Sequence, residues 1–218
     1  MSRRRGEQRL RAHCAASGAL CLTFDDGPSE SLTPSVLEAL REAGASATFF
    51  MLGARAVERP AIVQRVIDEG HEIGCHSQQH CNAWKTRPGR AAADVDAGFT
   101  DLARWNGDRP LFRPPYGKLT PWTAAAARRR GARIGWWTVD SGDTWTRLPD
   151  TSDMVDRVER DGGGVVLLHD FDRTGSDATA RAAFVIGVTR ALLELAHQHG
   201  WRITTLGRVM EDMENGRE

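Results

Sequence analysis

The chain alternates short apolar runs with longer segments whose apolar residues recur at helical spacing, as at Val36, Leu37 and Leu40. This alternation is typical of repeated βα units, in which parallel strands form a sheet that helices cover. We therefore predict an α/β fold with strands at 19–24, 47–52, 72–75, 134–139, 164–169 and 202–205.

Length and composition fit one globular domain. The 218 residues are 40% hydrophobic and 27% charged, which is enough apolar material for a sizeable core. We predict an N-terminal extension at 1–18, a single domain at 19–210 and a polar C-terminal tail at 211–218.

The 29 Lys and Arg balance the 29 Asp and Glu, so no net charge attracts nucleic acid or an acidic membrane, and neither is an expected partner. The oligomeric state is left open.

The cysteines and the first residues bear on the cellular compartment. The four cysteines form no Cys-x-x-Cys pair, so reduced thiols are expected. The basic residues near Met1 are not followed by the apolar stretch of about 7–15 residues that a signal peptide needs. No window approaches the roughly 20 apolar residues of a membrane span. We therefore expect a cytoplasmic protein.

Two adjacent carboxylates, Asp25 and Asp26, follow the first predicted strand. Successive side chains of a strand point to opposite faces, but the Gly27-Pro28 turn ends the strand here and lets both carboxylates serve one site. The alternative is a simple Asp-Gly-Pro turn without function.

Two histidines, His76 and His80, follow the third predicted strand. Residues at i and i+4 share one face of a helical turn, so the spacing predicts two imidazoles that converge on a metal ion. The alternative is a chance spacing. The flanking Cys75 and Cys81 are interpreted as structural.

Three further polar segments complete the set of candidates. In 113–117, two prolines stiffen the chain, and the N–H of Tyr116 is the first backbone donor after them, which suits an oxyanion; the alternative is a proline turn beside a surface arginine. Segment 140–145 follows the fourth predicted strand, and His169 ends the fifth, where a histidine is often only a rim residue. α/β barrels and open sheets place their sites at this end of their strands.

Together these motifs resemble the NodB-homology polysaccharide deacetylases, carbohydrate esterase family 4. They read Thr-Phe-Asp-Asp-Gly-Pro, His-Ser-x-x-His, Arg-x-Pro-Tyr, Asp-x-x-Asp with Trp, and Leu-x-His, in that order. The resemblance covers roughly residues 19–209. It implies a distorted (β/α) barrel with fewer than eight regular units and a zinc-type metal in an open groove.

The resemblance also implies roles for single residues. Asp26, His76 and His80 would bind one divalent transition metal, zinc being the first choice and cobalt or another divalent ion an alternative. Asp25 would be the general base, and Arg113 would orient it.

A second group would act on the leaving group and the substrate. His169 would be the general acid, with Asp140 as its partner. The sequence departs from the family pattern at one point, because Thr144 separates Asp143 from Trp145. The residues expected to contact the substrate are Pro114, Tyr116, Leu167 and Trp145.

The expected activity is metal-dependent removal of an N-acetyl or other N-acyl group from an amino sugar. Because we expect a cytoplasmic protein, we predict a soluble substrate of one to four sugars rather than a wall polymer. Two alternatives stay open. One is deformylation or hydrolysis of a non-sugar amide, and the other is a catalytically silent carbohydrate-binding relative, which would have lost a metal ligand or the base.

Overall fold

A computed structural model describes residues 3–216, in which eight strands form one parallel sheet and nine α-helices surround it. The strands are β1 (Ala19–Asp25), β2 (Thr48–Met51), β3 (Glu72–Cys75), β4 (Leu111–Phe112), β5 (Arg133–Ile134), β6 (Val139–Asp140), β7 (Gly164–His169) and β8 (Arg202–Ile203). The helices are α1 (Arg3–Ser17), α2 (Leu32–Glu42), α3 (Gly53–Glu58), α4 (Pro60–Asp68), α5 (Pro88–Asp101), α6 (Pro121–Arg129), α7 (Thr151–Asp161), α8 (Ala178–His199) and α9 (Leu206–Asn215).

The sheet is a curled, incomplete barrel. Its strand order is β5-β4-β3-β2-β1-β7-β6, and β8 pairs with the first residues of β1. All seven residues of β1 are buried, as expected for a central parallel strand that is covered on both faces. This confirms the predicted distorted barrel with fewer than eight regular units.

The predicted strand at 134–139 is two short strands in the structure. β5 pairs with β4 at one edge of the sheet and β6 pairs with β7 at the other, so residues 135–138 span the gap between the two edges. The N–H of Gly135 donates to Phe112 and the N–H of Thr138 donates to Val165. A continuous apolar run cannot reveal this change of partner, because residues 135–139 are buried throughout. The sequence analysis also missed β4, whose two residues are too few for a periodic pattern.

Helices α1 and α9 pack against the same face of the sheet as the polar site. Cys21 and Asp25 lie on one face of β1 because side chains alternate, and Cys21 shares an apolar cluster with Leu10 and Cys14 of α1 and with Val209 of α9. The segment predicted as an N-terminal extension therefore contributes to the core. The domain boundaries at 18 and 210 stay predictions.

The predicted polar tail begins inside α9. This helix continues to Asn215, and Asp212 pairs with Arg202 at 2.6 Å. The parts of the predicted extension and tail at 1–2 and 217–218 lie outside the described residues. No helix in residues 3–216 combines the length and the apolar character that crossing a membrane requires.

Candidate active site

A cavity of about 520 Å³ opens at the carboxyl ends of the strands. Eight of the eleven residues predicted for the site line it. Behind the wall lies Arg113, which is fully buried, and Pro114 and Trp145 are outside the lining. The full lining is Asp25, Asp26, Leu52, Arg55, His76, His80, Tyr116, Gly117, Trp137, Asp140, Thr144, Leu167, His169 and Phe171.

Asp25 and Asp26 both face this cavity. Asp25 is the last residue of β1, and Asp26 has a φ of 74°. This left-handed conformation breaks the alternation of the strand, which is why neighbouring side chains point into one cavity. The turn after Asp26 is therefore part of the site, and the simple-turn alternative does not account for the convergence.

His76 and His80 converge, but not on a helical turn. Residues 76–80 form an irregular loop in which Ser77 and His80 have φ values of 69° and 58°. The two imidazole centroids are 5.0 Å apart. The predicted helical spacing was wrong, because left-handed residues rather than a helix bring the rings together.

Positive φ values among non-glycine residues cluster at this site. Within residues 3–216 they occur at Asp26, Ser77, His80 and Tyr116, and the Tyr116 ring lies 4.4 Å from the His80 ring, centroid to centroid. Such conformations cost on the order of 1–3 kcal/mol each and concentrate at functional sites. The surrounding fold must hold these four residues in place.

Asp26, His76 and His80 form a set that fits a metal ion. One possible ligand atom from each lies within 4.8 Å of the others. Oδ1 of Asp26 is 3.5 Å from Nε2 of His76 and 3.3 Å from Nε2 of His80. This oxygen is buried, and within the described part of the chain it accepts no hydrogen bond. A buried carboxylate oxygen without a donor is costly, and a cation between these three groups would remove that cost.

The protonation of the two imidazoles also fits a metal. Burial lowers the pKa of His76 to about 3 and lowers the pKa of His80. Nδ1 of His76 lies 2.8 Å from the carbonyl oxygen of Arg113, to which it must donate, so Nε2 keeps its lone pair. A neutral imidazole oriented through its other nitrogen is the form that binds transition metals.

Arg113 and Asp25 form a buried ion pair. Nη1 of Arg113 lies 2.7 Å from Oδ1 of Asp25 and 2.8 Å from Oγ1 of Thr23. Burial raises the pKa of Asp25, and the positive charge of Arg113 opposes that rise. The other oxygen, Oδ2, is 3.7 Å from Nε2 of His76. Asp25 therefore faces the candidate metal ligands through Oδ2 and contacts Arg113 through Oδ1.

The acidic partner of His169 is Asp143, not Asp140. Oδ1 of Asp143 lies 2.9 Å from Nδ1 of His169, and Oδ2 accepts the His169 backbone N–H at 2.9 Å. The carboxylate of Asp140 instead accepts the N–H of Gly142 at 2.9 Å. The prediction of Asp140 was wrong because the turn at Gly142, with a φ of 75°, returns the chain so that Asp143 reaches the end of β7.

Asp143 controls the charge of His169. Burial acts to lower the pKa of His169, but the charge and hydrogen bond of Asp143 outweigh it, and the pKa rises to about 9. Asp143 is itself held by Arg181 of α8, whose Nη1 donates to the Asp143 carbonyl at 2.7 Å. His169 is therefore an imidazolium ion at neutral pH.

The aromatic wall of the cavity is Trp137 rather than Trp145. Trp145 is 51% exposed and lies against Gly142, whereas Trp137 and Thr144 line the cavity. The extra residue Thr144 takes the wall position and leaves Trp145 outside. The predicted pocket role of Trp145 was therefore wrong. Of the other predicted substrate contacts, Leu167 and Tyr116 line the cavity and Pro114 does not.

Sequence reasoning missed two lining residues of note: Arg55 and Phe171. Nη1 of Arg55 donates to the carbonyl oxygen of Asp26 at 2.7 Å, which braces the turn that carries the metal-ligand candidate. Arg55 is in α3 and has no motif around it, so the sequence carries no signal for it. Phe171 follows the Leu-x-His motif by two residues. This proximity is the one sequence signal that could have identified it.

Comparisons with known proteins agree with this geometry. Residues 13–135 match the family model described as polysaccharide deacetylase. A peptidoglycan-N-acetylglucosamine deacetylase of Bacillus cereus is 35% identical, with 88% of this chain and 87% of that protein covered. A chitooligosaccharide deacetylase of Sinorhizobium fredii is 32% identical, with 85% of this chain and 88% of that protein covered.

A solved structure shows the same fold. A family 4 carbohydrate esterase from Streptomyces lividans in complex with acetate is 29% identical and has a TM-score of 0.71, with 84% of this chain and 90% of that chain covered. The motifs, the curled parallel sheet and these similarities together show that the chain belongs to the polysaccharide deacetylase family, the NodB-homology group of carbohydrate esterase family 4.

Proposed function

We propose that the protein is a metal-dependent hydrolase that removes the N-acetyl group of an amino sugar. One observation carries this proposal: a buried carboxylate, Asp25, and an imidazolium, His169, face the same cavity as the metal-ligand candidates. Amide hydrolysis needs a base for the attacking water and an acid for the leaving amine. The cavity offers one group of each kind.

The proposed metal ligands are Asp26, His76 and His80. When bound there, a divalent transition ion supplies Lewis-acid polarisation of a carbonyl group and lowers the pKa of water. Three protein ligands leave at least one position open, as in catalytic rather than structural zinc sites.

Asp25 is the proposed general base. Its carboxylate accepts a proton from the water that attacks the acyl carbon, and Arg113 fixes its orientation through Oδ1. Because burial raises the pKa of Asp25, the carboxylate is more basic than an exposed one. A base with a pKa nearer to the working pH transfers protons more efficiently.

His169 is the proposed general acid. The C–N bond of the amide breaks as the nitrogen leaves, and His169 donates its Nε2 proton to that nitrogen. The products are acetic acid and a free amine. Asp143 keeps His169 protonated and occupies Nδ1, so the transferable proton is the one on Nε2.

The backbone N–H of Tyr116 is the proposed donor to the developing oxyanion. Tyr116 lines the cavity, and its φ of 56° orients this peptide in a way that few residues adopt. A donor that is oriented before the reaction needs no reorganisation during it, which is how such groups lower barriers.

The proposed substrate is a short, soluble N-acetylated amino sugar. A cavity of about 520 Å³ falls within the roughly 300–1,000 Å³ of small-molecule sites. One similar protein is named for chitooligosaccharides and another for peptidoglycan, so both substrate classes belong in the test.

The test is acetate release from a substrate panel. Zinc-loaded protein is incubated with N-acetylglucosamine oligomers of one to four sugars, polymeric chitin, peptidoglycan, and N-formyl and O-acetyl analogues, and the released acid is identified by mass. We expect acetate from the short oligomers and at least about a hundredfold less from the Asp25→Asn control. Formate as the main product would favour a deformylase, and no release from any substrate would favour a silent binding protein.

A further inference from the structure

A second cavity of about 460 Å³ adjoins the candidate active site. Trp137 and Asp140 line both cavities, so these two side chains form part of the wall between them. The remaining lining comes from α1, α7 and Thr138, which lies in the segment between β5 and β6. It consists of Arg3, Arg4, Glu7, Gln8, Arg11, Thr138 and Arg157.

The second cavity is rich in arginine. Four arginines face only two carboxylates, Glu7 and Asp140. Arg3 pairs with Glu7 at 2.6 Å and Arg11 pairs with Asp161 outside the lining.

Two of these arginines lack an acidic partner. Among the described residues, no carboxylate lies within ion-pair distance of Arg4 or Arg157. Asp140, which also lines this cavity, accepts the N–H of Gly142 through Oδ1. Two guanidinium groups with donors to spare therefore remain beside the active site.

Arg3 links this arginine cluster to the catalytic cavity. Its guanidinium carbon lies 4.5 Å from the centroid of the Trp137 ring. A Cβ on Gly117, which lines the catalytic cavity, would come within 2.6 Å of Nη1 of Arg3. The arginine-rich wall thus begins at the edge of the candidate active-site cavity.

We propose that the second cavity binds an anionic substituent, a phosphate or a carboxylate, carried by the amino-sugar substrate. Guanidinium groups bind both kinds of oxyanion through paired hydrogen bonds, and they do so more strongly than neutral donors bind. Arg4 is exposed and Arg157 is half-buried, so both guanidinium groups are accessible to a bound anion. This inference rests on the proposed function, and it narrows the substrate to acidic amino sugars.

The first arm of the test is turnover by the zinc-loaded protein. Three probes share the acetamido group and differ in the substituent beside it: methyl N-acetylglucosaminide is neutral, N-acetylglucosamine 1-phosphate carries a phosphate, and N-acetylmuramic acid carries a carboxylate. We expect KM for at least one acidic probe to be about tenfold below that of the neutral one. The phosphate and carboxylate arms identify which anion is bound.

Substitution of the arginines tests whether a preference for acidic probes arises in the second cavity. Arg4→Gln and Arg157→Gln should raise KM for the preferred acidic probe about three- to tenfold each and leave KM for the neutral probe unchanged. The matched control is Arg128→Gln, an exposed arginine at the end of α6, which should change neither. Added salt should weaken the preference because it screens charges.

A second arm separates this inference from the proposed activity. Calorimetry measures binding of the same probes to zinc-loaded Asp25→Asn protein, with and without the Arg4→Gln and Arg157→Gln changes. Tighter binding of an acidic probe that both arginine changes abolish supports the anion site, even if no probe is hydrolysed. Equal binding of acidic and neutral probes, or a preference that survives both changes, overturns it.

Discussion

Asp143 holds His169 through two contacts, one to Nδ1 of the ring and one to the backbone N–H, each 2.9 Å long. One carboxylate therefore sets both the orientation and the charge of the proposed general acid.

Asp143→Asn should lower kcat on the order of 10²- to 10⁴-fold, the usual contribution of a general acid. Without the Asp143 charge, burial dominates and the pKa of His169 falls from about 9. The acid form is then lost at lower pH, so the alkaline limb of the kcat profile should move to lower pH. Asp140→Asn is the control and should leave this limb in place; the opposite pattern would restore Asp140 as the partner.

The same ion pair should make stability depend on pH. The pKa of His169 is 6.5 when unperturbed and about 9 in the folded protein. Stabilisation is therefore complete below pH 6.5 and is lost as the pH rises through about 9, with an upper limit on the order of 3 kcal/mol. Urea unfolding between these pH values should show this loss in the parent and a weaker one in Asp143→Asn.

The two adjacent carboxylates should separate by role. Zinc binding should weaken by more than about a hundredfold in each of Asp26→Asn, His76→Gln and His80→Gln. Losing a metal ligand should cost at least as much affinity as losing the hydrogen-bond partner that orients a ligand. Asp25→Asn should keep zinc and lose turnover on the order of 10²-fold or more. Metal content after dialysis and competition with a chelator measure the difference, and zinc loss in Asp25→Asn equal to that in Asp26→Asn would contradict it.

Gly98 of α5 should affect zinc binding through its close contact with the loop that carries His76 and His80. A Cβ at this position would lie 2.5 Å from the carbonyl carbon of Ser77, in the loop between His76 and His80. Gly98→Ala should therefore displace the loop, weaken zinc binding and lower the melting temperature, although alanine normally stabilises a helix by about 1 kcal/mol. Gly89→Ala in the same helix meets nothing within 4 Å and should be neutral or stabilising; equal behaviour of the two variants would refute the contact.

Removing Arg113 should destabilise the fold. Arg113→Met leaves the buried Asp25 without its counter-charge, which costs about 3–5 kcal/mol in comparable buried pairs. Arg190 is the control, because its pair with Glu42 is exposed and such pairs contribute at most about 1 kcal/mol. The double variant Arg113→Met/Asp25→Asn should lose less than the sum of the two single losses. Additive losses would mean that the pair is not coupled.

The amino-acid sequence by itself predicted the architecture and singled out the candidate metal ligands. Apolar runs such as 164–169 report burial directly, and β7 has these bounds in the structure. Asp26, His76 and His80 were recognisable because each follows a strand, and parallel strands deliver the residues after them to one edge of a sheet. Their proximity follows from local patterns and one topological rule, whereas their proposed role as one set of metal ligands came from the family resemblance.

Only the tertiary structure decided which side chains touch. Asp140 and Asp143 are equivalent in a motif, and the left-handed turn at Gly142 selects between them. Trp145 and Trp137 are equally aromatic, and the path of the chain around Thr144 places one outside and the other in the wall. Which of two similar residues reaches the site depends on a few ångströms of backbone position, and contacts between residues far apart in the sequence fix that position. A local pattern of residue types carries no information about these contacts.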